Sequence, residues 1–583
     1  MPLDRREFLG AAAAASSLRG AHAQTASPPN VIILLTDDQG YGDLSAHGNP
    51  VLRTPSLDKL HSESVRFTSF HAAPMCTPTR GQLLTGQDAL RNGATSVTAG
   101  RAVIRRGIPL MSEIFASGGY ATGLFGKWHA GDNYPYRPMD RGFQEAQYFF
   151  GWGLSSAPEF DNDYFDGRYR HNGVEKRFSG YCTDFWFDQA IAWMRQRQRQ
   201  KERFFCYVPT NTPHGPAWVA PKYAAPYNKP GLPANFFGMI ANLDENVGKL
   251  EAFLDESGLR ENTIVIFMTD NGGTAGVNTF NAGMRGRKTQ VYEGGHRVPF
   301  FLRWPGGKLG QPRDIATPAQ MQDVLPTLID LCRLKKPAEA RFDGRSLAGL
   351  LTGRQPALAD RMLVVQYGQI LKKWDSSVIW GKWRLVKGEE LYDLEADPGE
   401  TANAAAQNPA VLQRMREHYE KWWAGVEPGL RDFSPISIGS AKENPVALSS
   451  SDWEEVYCDN ANAVLSGAGG PRGGPWNVFV ERDGEYEIAL RRWKVELDLP
   501  LDAPRAEQKM TVGGLPAGKA IPIRAARLSI AGQSLSAKTA PGGKAAVFRV
   551  KLKGPLKTQL HGWFQDEAGN DLCGAYYAYV RRI

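Results

Sequence analysis

The chain has 583 residues, of which 42% are hydrophobic and 22% charged, and this length allows two or three domains with sizeable cores. Its 69 basic and 61 acidic side chains give a net charge of +8, which favours the approach of an anionic ligand. Charges of both signs are interspersed without a basic tract carrying stacked aromatics, and no segment is apolar and long enough to span a bilayer, so nucleic-acid binding and stable membrane insertion are both disfavoured.

The first residues resemble a twin-arginine export signal. Arg5 and Arg6 precede an alanine-rich stretch, and residues 21–23 form a small-x-small cleavage site. We expect the signal peptide 1–23 to direct the chain through the twin-arginine translocase, which makes the mature protein periplasmic or secreted. An amphipathic first helix is the alternative, but the alanine run has no clear apolar face.

The next predicted element is a buried strand. Residues 31–35 are apolar and β-branched, and Asp37 and Asp38 follow almost directly. Such a strand delivers adjacent carboxylates to the carboxyl end of a parallel sheet. A helix cap or turn would account for one of these aspartates more readily than for both.

The sequence CTPTRGQLLTG, residues 76–86, predicts a helix that opens just after Cys76. The Cys76 side chain would then face unpaired N–H groups and the positive end of the helix dipole, an environment that favours anions. Arg80 lies one turn further on, where it can orient or charge-stabilise an oxygen carried by position 76. A buried cysteine before a proline-initiated helix is the simpler structural alternative.

Further polar side chains follow three more predicted strands: Lys127 and His129 after 121–125, His214 after 204–208, and Asp270 and Asn271 after 263–268. Lys288 lies in a basic segment before a predicted Glu-Gly-Gly turn at 293–295. Because strands of an open α/β sheet bind ligands at their carboxyl ends, we expect one pocket to collect these groups. Carboxylate and amide oxygens suit Ca²⁺ or Mg²⁺ better than zinc.

The pattern of elements predicts three regions, at residues 30–350, 351–430 and 435–583. Residues 30–350 alternate short strands with helical segments such as 236–257 and 318–334, as a doubly wound α/β sheet requires. Residues 351–430 are predicted to form a small antiparallel α+β subdomain, with strands at 362–366 and 382–387 and a helix at 409–423. The segment 152–181 is a long insertion and a candidate substrate loop, or an ordinary surface connection.

Residues 435–583 are predicted to form an all-β accessory module, with alternating strands at 476–480, 486–490, 546–551 and 575–580. Its aromatic side chains could stack on sugar rings, although aromatics in a β-sandwich more often belong to the core: they include Trp476, Trp493, Trp563, Tyr576 and Tyr577. Besides Cys76 the chain has an odd number of cysteines, which argues against a disulfide scaffold.

Over roughly residues 30–425, the motifs resemble those of type I, formylglycine-dependent sulfatases of the alkaline phosphatase superfamily. The resemblance is carried, in chain order, by Asp37-Asp38, the Cys-x-Pro-x-Arg motif at Cys76, Pro78 and Arg80, Lys127-x-His129, Thr-Pro-His214, Asp270-Asn271, Lys288 and the segment ELYDLEADPGETAN at 390–403. It implies the mixed doubly wound sheet of that superfamily and an arylsulfatase-like hydrolase of aryl or carbohydrate sulfate esters. The substrate would be a sulfated small molecule or glycan.

The resemblance also implies two cofactors. A formylglycine-generating enzyme would oxidise Cys76 to an aldehyde that hydrates to a diol. Ca²⁺, with Mg²⁺ left open, would be held by four oxygen ligands: Asp37, Asp38, Asp270 and Asn271.

A mechanism follows as a hypothesis. The cation activates one diol hydroxyl of residue 76, which attacks sulfur while Lys127 and Lys288 neutralise the sulfate oxygens. His214, with Lys288, protonates the departing oxygen. His129 deprotonates the second hydroxyl, so that sulfate leaves and the aldehyde returns.

Two other functions fit the same motifs. Relatives with the same modified cysteine hydrolyse phosphonate monoesters or phosphodiesters, and matched kinetics would separate this activity from sulfate hydrolysis. An inactive, exported glycan-binding protein is the third hypothesis. Against it, every proposed catalytic position carries a competent residue.

Overall fold

The first apolar run of the chain forms the central strand of the fold, Asn30–Thr36, and all of its residues are buried. This strand pairs in parallel with Phe204–Pro209 on one side and with Thr263–Thr269 on the other. The structure is a computed structural model that describes residues 28–467 and 472–583, so the predicted signal peptide 1–23 lies outside the described residues.

The central strand belongs to a ten-stranded mixed sheet. Its spatial order is Arg313–Ile315, Val65–Phe67, Phe300–Arg303, Thr263–Thr269, Asn30–Thr36, Phe204–Pro209, Ala121–Lys127, Glu145–Phe149, Arg168–His171 and Val174–Arg177. The strands from Thr263–Thr269 to Glu145–Phe149 are mutually parallel, whereas antiparallel pairs flank them on both sides. The carboxyl ends of the parallel strands therefore lie along one edge.

Both faces of this sheet are covered, because successive strand residues point to opposite faces. Ile32 and Leu34 join one buried cluster, whereas Val31 and Ile33 join another. The first cluster includes residues of the helices Pro55–Ser62, Cys182–Arg199 and Ala234–Glu256, and the second includes residues of Cys76–Thr85, Met111–Ser117 and Val324–Cys332. This arrangement confirms the predicted doubly wound α/β fold. Four shorter helices are Ala89–Asn92, Pro221–Ala224, Glu293–His296 and Ala348–Leu351.

Two predicted elements differ from the structure. The helix predicted at 318–334 is wrong in its first half, because Ala319–Gln320 pairs in parallel with Phe70–His71 and the α-helix spans only Val324–Cys332. The side chain of Asp323 accepts the Gln320 N–H at 2.9 Å and so stabilises a turn at this point. The predicted Glu-Gly-Gly turn is a short helix, Glu293–His296.

A separate antiparallel sheet follows the large one. Its strands are Leu363–Gln366, Ser376–Trp380, Trp383–Val386 and Glu390–Asp393. The helix Pro409–Val426 packs Met415, Tyr419 and Trp423 against it. Arg384 of this sheet donates to the buried Glu293 carboxylate at 2.5 Å, which links the sheet to the large one through an ion pair.

The last part of the chain contains two larger sheets, and their inward residues share one core. The first sheet comprises Ile436–Ile438, Trp476–Val480, Leu556–Gln565, Ala525–Ile530, Gln533–Lys538 and Asp571–Gly574, and the second comprises Val446–Ser449, Tyr577–Arg582, Gly484–Arg491 and Ala546–Leu552. A short hairpin, Gln508–Lys509 with Gly514–Leu515, and one helix, Ala461–Ser466, complete this part.

The aromatics of this part are mostly core residues. Trp476, Trp493, Tyr576 and Tyr577 are at most 3% exposed, so they are not available to stack on a sugar. The six cysteines, Cys76 included, are buried and free of disulfides. Within residues 28–467 and 472–583, no helix combines the length and apolarity that a membrane crossing demands.

Candidate active site

The site lies at the carboxyl edge of the parallel strands. Asp37 follows the central strand and Asp270 follows its neighbour, and the N–H of Asp270 donates to Thr36 O at 3.0 Å. Lys127 is the last residue of the strand Ala121–Lys127, and His214 lies in the loop after Phe204–Pro209. Strand ends that are distant in sequence are thus brought together, as the pattern predicts.

Cys76 is the first residue of the helix Cys76–Thr85 rather than a residue before it. Its Sγ lies 3.3 Å from Asp37 Oδ1 and 3.4 Å from Lys288 Nζ. Burial and the carboxylates of Asp270 and Asp37 raise the pKa of the Cys76 thiol well above its ordinary value. A thiol at this place stays protonated and is a poor nucleophile in its unmodified form.

Each of two lysines pairs with one of the adjacent aspartates. Lys127 Nζ is 2.5 Å from Asp37 Oδ2, and Lys288 Nζ is 2.5 Å from Asp38 Oδ1. The Lys127 side chain is fully buried, whereas that of Lys288 is 14% exposed. Lys288 Nζ contacts Cys76 Sγ directly, whereas Lys127 Nζ is linked to it through Asp37, so that two ammonium groups from different segments of the chain lie around position 76.

Arg80 lies one turn into the helix Cys76–Thr85, as the sequence predicts, but its hydrogen bonds go to groups other than residue 76. Its guanidinium donates to Asp270 Oδ2 and to Lys127 O, each at 2.9 Å, and it is fully buried. The contacts of Arg80 therefore orient the Asp270 carboxylate and the end of the Lys127 strand. Its link to Cys76 is indirect.

The predicted cation ligands lie close together and are buried. Asp38 N–H donates to Asp270 Oδ1 at 3.2 Å, and Asn271 Nδ2 donates to Asp38 Oδ1 at 3.0 Å. Asn271 Oδ1 is buried and has no hydrogen-bond partner, so an acceptor oxygen is left free for a cation. Ligand atoms of Asp37 and Asp38 also lie within 4.8 Å of those of Cys76 and His214. The carboxylate and amide oxygens of the four predicted ligands fit a hard divalent cation.

The charges of the site shift the pKa values of Asp37 and Asp270 in opposite directions. Burial acts to raise the pKa of Asp37, but Lys127, with His214 and Arg80, holds that pKa below its usual value. Burial and the negative charge of Asp37 raise the pKa of Asp270 to about 7 despite the contact with Arg80. Concentrated negative charge of this kind is what a bound cation relieves.

The two histidines approach from separate loops. His214 Nε2 is 3.7 Å from Asp38 Oδ2, and its Nδ1 donates to Gly215 O at 2.7 Å, so Nε2 faces the site. His129 Nε2 is 3.2 Å from Val97 O, whereas its Nδ1 is buried and has no partner. Burial and the charges of nearby cations lower the pKa of both imidazoles.

Sequence reasoning placed Trp152 in the candidate substrate loop 152–181 without giving it a role, and it missed Asp43. The Trp152 ring lies 5.1 Å from the His214 ring, and only the length of the surrounding insertion pointed to it. Asp43 is 1% exposed, and its carboxylate accepts the Gly40 N–H at 2.8 Å, which holds the loop after Asp38 in shape. No spacing rule singled out Asp43 from the other acids of its motif.

Comparisons with known proteins agree on one family. The sulfatase family model matches residues 29–334. N-acetylgalactosamine-6-sulfatase of Rattus norvegicus is 30% identical over 372 residues, covering 59% of this chain and 69% of that protein. Arylsulfatase G of Mus musculus is 32% identical over 380 residues, covering 56% and 70%. The crystal structure of Ps i-CgsB in complex with k-i-k-neocarrahexaose is 26% identical, with a TM-score of 0.63, and the match covers 70% of this chain and 95% of that one.

The doubly wound sheet, the buried site at its edge and these similarities define the class of protein. The chain belongs to the sulfatase family, within the alkaline phosphatase superfamily. It is accordingly an enzyme that hydrolyses sulfate esters.

Proposed function

We propose that the enzyme cleaves carbohydrate sulfate esters, with residue 76 as the nucleophile after conversion of Cys76 to formylglycine. A divalent cation, Ca²⁺ or Mg²⁺, would be held by the four predicted ligands: Asp37, Asp38, Asp270 and Asn271. The observation that carries this proposal is the position of Cys76 Sγ, between the Asp37 carboxylate at 3.3 Å and the Lys288 ammonium at 3.4 Å.

Charge balance supports an anionic substrate. The carboxylates of Asp37, Asp38 and Asp270 are matched by the cations of Arg80, Lys127 and Lys288, all within a network of direct contacts. A bound divalent cation would leave this network with an excess of positive charge. A sulfate ester carries the negative charge that such a site attracts.

The cation, when bound, would polarise the sulfate oxygens and lower the pKa of a nearby hydroxyl. Lys127 and Lys288 would neutralise negative charge on the sulfate, an effect worth on the order of a few kcal/mol per donor in a dry site. His214 Nε2 and Lys288 Nζ are placed to give a proton to the departing oxygen. The main-chain oxygen of His129 accepts the Thr77 hydroxyl hydrogen at 3.0 Å, which ties His129 to the first turn of the Cys76 helix, and we propose that its imidazole removes a proton from residue 76.

The choice of carbohydrate substrates rests on the relatives. One is named for a sulfated amino sugar, and one solved structure holds a carrageenan oligosaccharide. The mature chain would meet such polymers outside the cytoplasm, since the proposed signal peptide 1–23 leads to the periplasm or beyond. The formylglycine-generating enzyme would act on Cys76 before twin-arginine export, because that pathway carries folded proteins.

Mass spectrometry and kinetics on protein from its native host test the proposal. The peptide that contains Cys76 should show the mass change from thiol to aldehyde, and the mature chain should begin after residue 23. The enzyme should release sulfate from N-acetylgalactosamine 6-sulfate and 4-nitrophenyl sulfate faster than it cleaves matched phosphonate and phosphate esters. In the Cys76→Ser variant, sulfate should remain bound to residue 76.

Three results would contradict it. Full activity with an unmodified Cys76 would exclude the aldehyde, and full turnover by Cys76→Ser would exclude the need for a second hydroxyl. Faster cleavage of phosphonate esters would make the phosphonate hydrolase hypothesis the better description of the substrate.

A further inference from the structure

The site meets solvent beside His214 and Lys288, whose side chains are 18% and 14% exposed. This opening, which we call the mouth, is bordered by side chains to which the proposed reaction gives no role. They come from three separate segments: the loop containing Trp152, the turn after the strand Leu363–Gln366, and residues 457–460 of the last part of the chain. Together these segments form a border, which we call the rim, defined by Trp152, Gln369, Tyr457 and Asp459.

On one side, the rim contacts the proposed acid. The Trp152 ring lies 5.1 Å from the His214 ring at an interplanar angle of 43°. The Asp459 carboxyl group is within hydrogen-bonding reach of the Trp152 indole and of the Tyr457 hydroxyl. Asp459 is only 3% exposed, so a carboxyl group is held at a nearly dry position beside the site.

On the other side, the rim approaches Lys288. Tyr367 is close enough to Lys288 for the lysine charge to act on the pKa of its hydroxyl group. That hydroxyl donates to Gln369 Oε1 at 3.3 Å. Gln369 is in turn within hydrogen-bonding reach of the Tyr457 hydroxyl. Tyr457 thus connects the Lys288 side of the mouth with the His214 side, while 50% of its surface remains exposed.

The backbone holds the 457–460 segment firmly. Asn460 forms a β-bridge with Ser156, the Ala157 N–H donates to Asp459 O at 2.6 Å, and the Ala461 N–H donates to Ser155 O at 2.8 Å. The Asn460 side chain also caps the helix Ala461–Ser466. A segment fixed in this way can present Tyr457 and Asp459 in one orientation, as a preformed binding site requires.

We propose that the rim binds the sugar ring that carries the sulfate, so that the last part of the chain completes the catalytic pocket. An exposed aromatic face packs against the apolar face of a pyranose, and the buried Asp459 carboxyl group holds that ring and the Trp152 indole in place. This inference rests on the proposed function, since it supplies the leaving-group side of the same site. It assigns sugar contact to the exposed ring of Tyr457 and a positioning role to the buried Asp459, and it gives no such contact to the buried tryptophans of the β-sheets.

The test compares sugar and aryl substrates in the same variants. Wild type is first profiled on N-acetylgalactosamine 6-sulfate, glucosamine 6-sulfate and a sulfated carrageenan hexasaccharide, and the best of these is then used with 4-nitrophenyl sulfate. Tyr457→Ala and Asp459→Asn should lower kcat/KM for the sugar sulfate roughly 10- to 100-fold, mainly through a higher KM, because the sugar binds more weakly. Both variants should lose clearly less activity on the aryl sulfate than on the sugar sulfate, because the aryl substrate has no pyranose to pack against the Tyr457 ring.

Val495→Ala is the matched control, since Val495 is a 44% exposed apolar residue of the same part of the chain. It should leave both substrates unaffected. Thermal midpoints of all variants verify folding, and Tyr457→Phe, which keeps the ring, provides a milder second variant that should retain more sugar activity than Tyr457→Ala.

An equal loss on both substrates, no loss on the sugar, or a wild type that cleaves only the aryl sulfate would overturn the rim assignment and leave sulfate ester hydrolysis intact. A wild type that releases sulfate from no ester would instead contradict the proposed function itself. The two failures are therefore distinguishable.

Discussion

Asp37 receives contacts from three chemically different side chains. Lys127 Nζ lies at 2.5 Å, Cys76 Sγ at 3.3 Å and Arg80 Nη2 at 3.9 Å, and the carboxylate is completely buried. Burial alone would favour the protonated acid, but the cations around it keep Asp37 ionised. A single residue thereby joins the nucleophile position, the anion-binding lysine and the proposed cation site.

At the residue scale, Cys76→Ala should abolish activity. Alanine offers neither a thiol to oxidise nor any oxygen to attack sulfur, so we expect kcat/KM for sulfate esters to fall by at least about a thousandfold. Steady-state kinetics on 4-nitrophenyl sulfate measure the loss.

Cys332→Ala is the control for this prediction, because Cys332 is equally buried but ends the helix Val324–Cys332 away from the site. That variant should lose some stability and keep its kcat/KM. Comparable activity in the two variants would show that residue 76 is not the nucleophile.

A second prediction at this scale concerns Asn271, whose Oδ1 is buried without a partner. If that oxygen binds a cation, Ca²⁺ should raise the thermal midpoint of the wild type, since about 100-fold excess over Kd stabilises a protein by about 2.7 kcal/mol. Asn271→Ala should reduce this shift, as measured by calorimetry after treatment with a chelator and titration with Ca²⁺ or Mg²⁺. An unchanged shift would place the cation elsewhere.

At the element scale, the helix Cys76–Thr85 is unusual because each of its residues is buried. Such a helix cannot rely on solvent for its polar groups, and Arg80 meets this need by donating to both Asp270 and Lys127 O. The nucleophile position is therefore set by how the helix is fixed to two strand ends, and its own sequence contributes only the starting point.

Arg80→Lys should disrupt this attachment. A lysine has one ammonium group and cannot reproduce the forked contacts of a guanidinium, so one buried acceptor loses its partner at a cost of about 1–3 kcal/mol. We expect a lower thermal midpoint and a fall in kcat of about tenfold or more.

Arg91→Lys, at a side chain that is 37% exposed, is the matched control and should change neither quantity appreciably. Differential scanning fluorimetry and kinetics on the two variants suffice for the comparison. If Arg80→Lys has wild-type kinetics, Arg80 does not position the site.

At the scale of the whole molecule, the loop after the strand Ala121–Lys127 meets the C-terminal part of the chain at two partly buried acids, Asp132 and Asp452. Asp132 lies close enough to Asp452 for the Asp452 charge to raise its pKa, and burial raises the pKa of Asp452 itself to about 6. The pKa of Asp132 is raised well above its ordinary value, by burial first and then by Asp452. The contact between the two parts is therefore sensitive to pH.

The sign of this dependence follows from linkage. An acid with a raised pKa binds more protons in the folded state, so its contribution to stability is present below the unfolded pKa of 3.8 and is lost as pH rises through about 6. Asp452→Asn should remove part of this loss, and its thermal midpoint should fall less than that of the wild type between pH 4.5 and pH 7.

The loss in free energy of unfolding between pH 4.5 and pH 7 should be smaller for Asp452→Asn than for the wild type, by about 1–2 kcal/mol after discounting for the partial exposure of Asp452. Glu567→Gln, an exposed position in the same part of the chain, should leave the wild-type profile unchanged. Identical pH profiles for wild type and Asp452→Asn would mean that this acid contributes nothing to the contact.

Much of the fold and of the site was accessible from local sequence. The strand that ends before Asp37 and the strand that ends before Asp270 were predicted to within two residues, because buried parallel strands are short, apolar and β-branched. The first half of the helix predicted at 318–334 failed, because pairing of Ala319–Gln320 with a distant strand outweighs local helical preference. The division into regions at 30–350, 351–430 and 435–583 remains a prediction.

The sequence by itself determined that polar residues follow several short buried strands, and this order predicts an anion-binding pocket with oxygen ligands. Only the tertiary structure decided the partners of these residues: Arg80 donates to Asp270 and not to residue 76, and Tyr457, which we propose as part of the rim, comes within reach of Gln369, far from it in sequence. The physical reason is the distance along the chain over which each kind of interaction acts. Hydrophobic periodicity and turn chemistry are local properties, whereas a contact between residues hundreds of positions apart depends on how the packed sheets meet.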